Sequence, residues 1–286
     1  MSQAKLPDTA STTTSTGHAL SEASWLDIHF EVARHENEAM VREVGFQPGW
    51  HVLDAGCGGG SFLPLISQLI GLTGKITALD LAPENIAIVE QRAAANHFAC
   101  TVEAKLGSIT QLPLADHSFD ALWCANVVQY LTEEAFHQSA REFRRVLRPG
   151  GVLALKEMDL TAMQLGPLDP ALIWRLFAAL RKHNPTIWAL YTLDFPRWLQ
   201  QAGFTVYSNK TLLAVDRHPL TENQQALAQG GFGYLADLAA TVPDLSPADR
   251  AIWQQQLGEP TSPDYIVQQP DFYWRRPYTL ILARAT

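Results

Sequence analysis

Four glycines stand close together, Gly56, Gly58, Gly59 and Gly60, and Asp80 follows 24 residues after the first of them. Between a strand and a helix, such glycines let the backbone turn sharply and approach a ligand closely, with the helix amides directed at its polar groups. A carboxylate at the end of the next strand can accept both hydroxyls of a ribose. Together these residues read as a nucleotide site. Two plainer roles stay open: an ordinary strand-to-helix turn for the glycines, and a helix cap before Pro83 for Asp80. A dinucleotide fingerprint would require glycine at position 61, which is Ser61. Hydride transfer from a nicotinamide is therefore the weaker reading.

A second group could move protons. Glu157 and Asp159 are two apart, so on one extended strand they would share a face and could receive an amine or deprotonate a hydroxyl. A solvated strand end is the alternative. Tyr130 reads either as a base or as a core residue of the helix that follows. His29 and His35 are six apart and do not share a helix face; His97 and Cys100 lack two further ligands nearby, so no metal is expected. Cys57, Cys100 and Cys124 are widely spaced and odd in number, which is no disulfide framework and points to a reducing, cytoplasmic setting.

The elements that must hold these residues alternate in period. HVLDAG is a short apolar run, and FLPLISQLI after the glycines is helical, with Pro64 in its first turn and Ser61 as a candidate cap. KITALDL, ACTVEAKLGS, SFDALWCANVV and GGVLALKEMD read as further strands, with helices at PENIAIVEQRAAANH and TEEAFHQSAREFRRVL. That alternation implies an α/β fold with a mostly parallel sheet covered on both faces. Before it, residues 24–44 carry apolar residues at helical spacing, with Ser21 or Ser24 as cap. Residues 1–20 are Ser- and Thr-rich and read as a disordered tail.

Four stretches in this order resemble the class I S-adenosylmethionine-dependent methyltransferases, in the small-molecule branch similar to ubiquinone and menaquinone biosynthesis methyltransferases. They are VLDAGCGGG (52–60), ALDLAPENI (78–86), GSITQLPLADHSFDALWCANVVQYL (107–131) and EFRRVLRPGGVLALKE (142–157). The resemblance covers roughly residues 25–215. It implies a doubly wound, seven-stranded Rossmann-like sheet with the last strand antiparallel. The chain reads as one domain over 21–286, with helical cap insertions at about 160–195 and 219–272, the later one outside the resemblance. It further implies S-adenosylmethionine as cofactor. Asp54, Gly56 and Gly58 would surround its methionine part, Asp80 its ribose, and Leu81 its adenine. Ser108 and Ile109 take the place where the family often has an acidic then an apolar residue, so Ser108 departs from the pattern. Asn126 and Val127 would meet the methionyl end. Arg34 would pair with the cofactor carboxylate, or remain a solvated helix charge. Trp174, Phe177, Trp188, Tyr191 and Phe195 fall in the region that forms the acceptor lid in similar enzymes, or are core residues of helices there.

Composition bounds the partners. With 21 Lys and Arg against 29 Asp and Glu, the net charge is −8, which does not suit a surface built to neutralise phosphates. No apolar run reaches the ~18 residues of a membrane span. The expectation is methyl transfer by in-line displacement to a small molecule, with the accepting atom, oxygen, nitrogen or carbon, left open. A module that binds the cofactor without turnover is the competing class.

Overall fold

The computed structural model describes residues 15, 17, 21–95, 97–183 and 192–286. Most of the expected tail, with Trp188 and Tyr191, lies outside the described residues.

The expected first helix is two helices, α1 (Ala23–Val32) and α2 (Arg34–Glu43), separated at Ala33, where φ is −109° and ψ 23°. The break is held by Asn37, whose buried Nδ2 donates to the Phe30 carbonyl at 3.1 Å. Neither Ser21 nor Ser24 is the cap; Glu22 occupies that position.

The alternating part then runs β1 (His51–Ala55), α3 (Leu63–Ile70), β2 (Lys75–Asp80), α4 (Pro83–Ala94), β3 (Thr101–Leu106), β4 (Phe119–Ala125), α5 (Glu133–Val146) and β5 (Leu147–Met158). Phe62, not Ser61, is the residue before α3, and Pro64 falls in its first turn, where a missing amide is harmless. Thr132 caps α5 by accepting from the Ala135 amide at 3.2 Å. After β5 come β6 (Gln164–Gly166), α6 (Pro170–His183), α7 (Phe195–Gln201), β7 (Phe204–Arg217), α8 (Glu222–Thr241), α9 (Pro247–Trp253) and β8 (Tyr273–Ala285). A capping box, in which Thr221 and Gln224 exchange side-chain and backbone bonds, starts α8.

The sheet order is β3-β2-β1-β4-β5-β8, with β7 on the far side of β8 and β6 extending beyond β5 along β8. Pairs among β1 to β5 are parallel, and β8 is antiparallel to β5, β6 and β7. The fold class is as expected, with one correction. The sheet has eight strands, because the three-residue β6 adds to the seven.

Apolar residues alternate along β5 so that both faces are dry. Leu153 and Leu155 pack with Phe136, Phe143 and Trp198 of α5 and α7. Val152 and Ala154 pack with Met40, Ile66 and Trp123 on the opposite face. A third cluster joins α6, α8 and α9 with Trp25 of α1 and Trp274 of β8. This helical layer lies across the carboxyl ends of the parallel strands and closes the site described next.

Candidate functional site

One cavity of about 310 Å³ lies where the strands end, within the size range of small-ligand sites. Its lower wall is the loop from β1 to α3 with the ends of β2, β3 and β4. Its upper wall is α1, α8 and the start of β8.

The turn after β1 needs glycine, most clearly where it borders the cavity. Gly56 (φ +81°) and Gly58 (φ +52°) both adopt left-handed conformations. A Cβ on Gly56 would collide with the Val127 side chain, and one on Gly58 would lie 2.5 Å from Leu26 Cδ1. The loop is tied to the next strand by Asp80. The Gly58 amide donates to its Oδ2 at 2.8 Å, while its Oδ1 accepts from the Ala82 amide at 2.9 Å and from Asn85 Nδ2 at 3.3 Å. Asp80 lines the cavity, and the position before α4 is held by Ala82, whose amide is bonded to Asp80, so Asp80 is not itself the helix cap.

Asp54 lies beneath this loop, 2% exposed, and its Oδ2 has no hydrogen-bond partner among the described residues. Burial, and then the negative field of Asp80, push its carboxyl up to about 8. Such an oxygen calls for a donor or a cation that the described residues do not provide. Leu81, Ser108, Ile109, Asn126 and Val127 also line the cavity. Leu81 is 49% exposed, so it offers an apolar face at the rim. The Ser108 hydroxyl is 2.8 Å from that of Thr110 and carries no charge. Asn126 has φ +58°, a conformation in which asparagine is enriched. It is clamped there by Lys156, whose carbonyl accepts from the Asn126 amide at 2.7 Å and whose ammonium donates to Oδ1 at 3.0 Å.

Three expected site residues are placed elsewhere. Glu157 is 1% exposed and does not line the cavity. Its Oε1 accepts from the Val127 and Val128 amides, both at 3.1 Å, so it braces the single turn at Val128–Tyr130 from behind. Burial raises it to about 8. Asp159 lies beyond the end of β5, where its Oδ1 accepts from the Thr161 amide at 3.0 Å, and it too is absent from the lining. The two carboxylates thus share no strand face, because β5 stops at Met158. Arg34 pairs with Glu31 and Glu38 in a separate polar recess, away from the cavity. Tyr130 does line the cavity, and burial raises its phenol above the usual range.

Further residues complete the lining; of these, sequence had named His29, as a histidine that makes no metal pair with His35. Trp25 and His29 are one turn apart on α1, and Phe232, Leu235 and Trp274 face them. Their signal was the four-residue spacing in α1 and the aromatic run at Phe272–Trp274. Of the aromatic residues expected in the lid, Trp174 is 62% exposed, while Phe177 and Phe195 are core. Among the described residues no group of three His, Cys, Asp or Glu side chains is placed to hold a metal, and no helix is long and apolar enough to cross a membrane.

Residues 52–151 match the family described as a methyltransferase domain. The chain is 38% identical over 135 residues to the malonyl-[acyl-carrier protein] O-methyltransferase of Serratia marcescens, covering 44% of this chain and 48% of that protein. It is 28% identical over 181 residues to the demethylmenaquinone methyltransferase of Staphylococcus aureus, covering 62% and 70%. The chain spans about half the length, or less, of several curated relatives it matches. Among solved structures the [4+2]-cyclase SpnF superposes with a TM-score of 0.54 at 20% identity, over 88% of this chain and 80% of that one. That likeness concerns the fold alone, and it shows that the fold is not limited to one reaction. The family match lies on the same stretch that builds the glycine loop, Asp80 and Asn126. Residues 52–151 of this chain are thus similar to a methyltransferase domain.

Proposed function

We propose that this chain transfers the methyl group of S-adenosylmethionine to a small molecule held under the helical layer, as one domain with its cap. The observation that carries the reading is Asp54. Its buried, unpartnered Oδ2 stands at the methionine end of a cavity whose other end is apolar, and a cationic amino acid moiety supplies the missing donor. Asp80 and Asn85 then hold the ribose side, with Leu81 and Ile109 against the base. The neutral lining at Ser108 leaves adenine recognition to the backbone of 107–109.

When bound, the cofactor supplies a methyl carbon already activated on a sulfonium. The chain's task is then positional. Asn126, fixed by Lys156, and Val127, fixed by Glu157, set the floor on which the two reactants meet. Holding them in line is worth up to about 7–11 kcal/mol. The layer of α1 and α8 excludes water. The net charge of −8 and the lack of basic side chains among the described lining residues favour a small acceptor over nucleic acid, and the thiols fit a cytoplasmic setting.

The test is incubation of the protein with host metabolite extract and methyl-deuterated S-adenosylmethionine, read by untargeted mass spectrometry. A labelled product absent with Asp80→Ala is expected. A protein that binds the cofactor yet labels nothing over a range of extracts overturns the reading in favour of a binding module. Asp80→Ala should weaken cofactor affinity by roughly 1.5–3 kcal/mol, the size of lost charge-assisted bonds.

A further inference from the structure

β3 and β7 lie at the two ends of the sheet, and they are finished differently. β3 is six residues long and carries Glu103 between Lys75 and Lys105, at 2.9 and 3.1 Å. Charges of that kind discourage pairing with a further strand. β7 is 14 residues long and, among the described residues, pairs only with β8. Its register shifts once, between Val206 and Ser208, and is then regular to Arg217.

Hydrogen bonds around β8 show which backbone groups of β7 are already occupied. The Asp159 amide, just past β5, donates to the Pro277 carbonyl at 3.0 Å, so odd-numbered residues of β8 turn their backbone toward β5. The His218 amide, just past β7, donates to the Phe272 carbonyl at 3.2 Å, so even-numbered residues turn theirs toward β7. Trp274 to Leu282, at even numbers, face Asp216 back to Ser208, also at even numbers. The amides and carbonyls of Asn209, Thr211, Leu213, Val215 and Arg217 therefore point away from the sheet. All five residues are exposed, Leu213 by 52% and Val215 by 45%. The charges along this stretch are engaged within the chain: Lys210 pairs with Glu43, Asp216 with Arg276, and the Arg217 guanidinium lies over the Tyr273 ring.

We infer that this edge is a self-association surface, on which a second copy of the chain lays its own β7, antiparallel, across a two-fold axis. Such a pairing engages all five outward-facing residues in one register alone, the one centred on their midpoint, Leu213. There Leu213 meets its own counterpart, Thr211 meets Val215, Leu212 meets Ala214, Asn209 meets Arg217, and Lys210 meets Asp216. Apolar and β-branched side chains thus gather at the axis and no like charges face each other. A register centred on Lys210 would instead set ammonium against ammonium. Five pairs exchanging two bonds each make ten hydrogen bonds between copies, the number that a stable interface carries, about 10. A strand from another protein could use the same backbone groups, but the side chains match this strand itself, as an isologous contact requires.

Sedimentation velocity of the full chain from about 1 to 200 µM should show a dimer at the upper concentrations. Leu213→Lys sets two like charges on the axis. Leu213→Pro removes only an outward amide and spares the ladder to β8. Each should raise the dimer Kd at least about tenfold while keeping Tm within a few degrees. A chain that stays monomeric at about 200 µM overturns the inference and leaves the edge to another occupant or to solvent. A dimer that persists unchanged in both variants also overturns it, since the contact then lies elsewhere. If either variant unfolds, a link across the axis decides. With Cys100→Ser, which leaves the buried Cys57 and Cys124, Leu213→Cys should form an intermolecular disulfide in oxidised glutathione, because directly opposed residues lie about 5.5 Å apart between Cα atoms. Asn209→Cys, eight residues along the strand from its counterpart, should link at least about tenfold more slowly. Equal linking at the two positions, or none at 213, overturns the pairing.

Discussion

Cofactor binding should release a proton, and Asp54 should be its source. With its carboxyl pushed up to about 8, about 0.9 of the molecules carry that proton at pH 7, and ionising it there costs about 1.4 kcal/mol. An ammonium placed against the unpartnered Oδ2 favours the charged form. If the bound value falls to ~5 or below, S-adenosylhomocysteine binding at pH 7 expels about 0.9 proton, falling to about 0.1 at pH 9. Affinity then tightens as pH rises from 6 toward 8, by nearly tenfold per unit at the acid end. The assay is calorimetry in buffers of different ionisation enthalpy, where the slope of observed heat against that enthalpy counts protons. Asp54→Asn should bring the slope close to zero and weaken binding by about 10- to 100-fold. A parent slope of zero, or the same slope in Asp54→Asn, would refute the reasoning.

Further outcomes follow from the buried polar groups and from the glycine turn. Glu157→Ala leaves the Val127 and Val128 amides without an acceptor and should cost about 2–4 kcal/mol in urea unfolding, whereas Glu157→Gln keeps an acceptor oxygen and should stay within about 1 kcal/mol at pH 6. Asp216→Ala strands the Arg276 guanidinium, 1% exposed, and should cost about 3–5 kcal/mol, with Asp216→Leu/Arg276→Met regaining most of it; equal losses in the single and double variants would contradict this. Folded Asp54 and Glu157, both raised to about 8, hold protons that the unfolded chain has already lost above pH ~4–5, so stability should fall as pH rises from 5 to 7. Lys156, lowered to about 7, acts in the opposite sense between pH 7 and ~10.5, so Tm measured against pH should flatten above 7. Gly56→Ala should abolish S-adenosylhomocysteine binding, because its Cβ displaces Val127 from the cavity floor; calorimetry with undiminished affinity would show that Val127 has no such role.

The glycine loop, Asp80 and the order of β1 to β5 were legible because each depends on residues close in sequence: an apolar run, a turn that only glycine makes, a helix period. What could not be read depends on distant partners. β6 is three residues long and exists only because Trp274 and its neighbours, over a hundred positions later, pair with it. Asp27 reaches from α1 to Arg92 at 2.6 Å, a contact no periodicity announces. The spacing of Glu157 and Asp159 predicts a shared face, but that inference needs the strand to continue past Met158, and it stops there. Arg34 could be imagined at a carboxylate because Arg prefers one; Glu38 of its own helix and Glu31 of the helix before supply two. His29 was visible as a polar residue one turn from a tryptophan, yet only the meeting of α1 with β5 and β8 shows which groups face it.

The position of β8 has a consequence in time. Until it arrives, β5 has a bare edge and β7 has no neighbour at all, so the first half of the sheet must wait, dry face exposed, for a segment made more than a hundred residues later. The same strand carries Trp274 into the cavity wall and Ala283 into the core. Ligand cannot therefore find a finished chamber on an unfinished sheet, and the first capture of cofactor by a newly made or refolding chain marks the moment that its last strand has slid between β7 and the edge formed by β5 and β6.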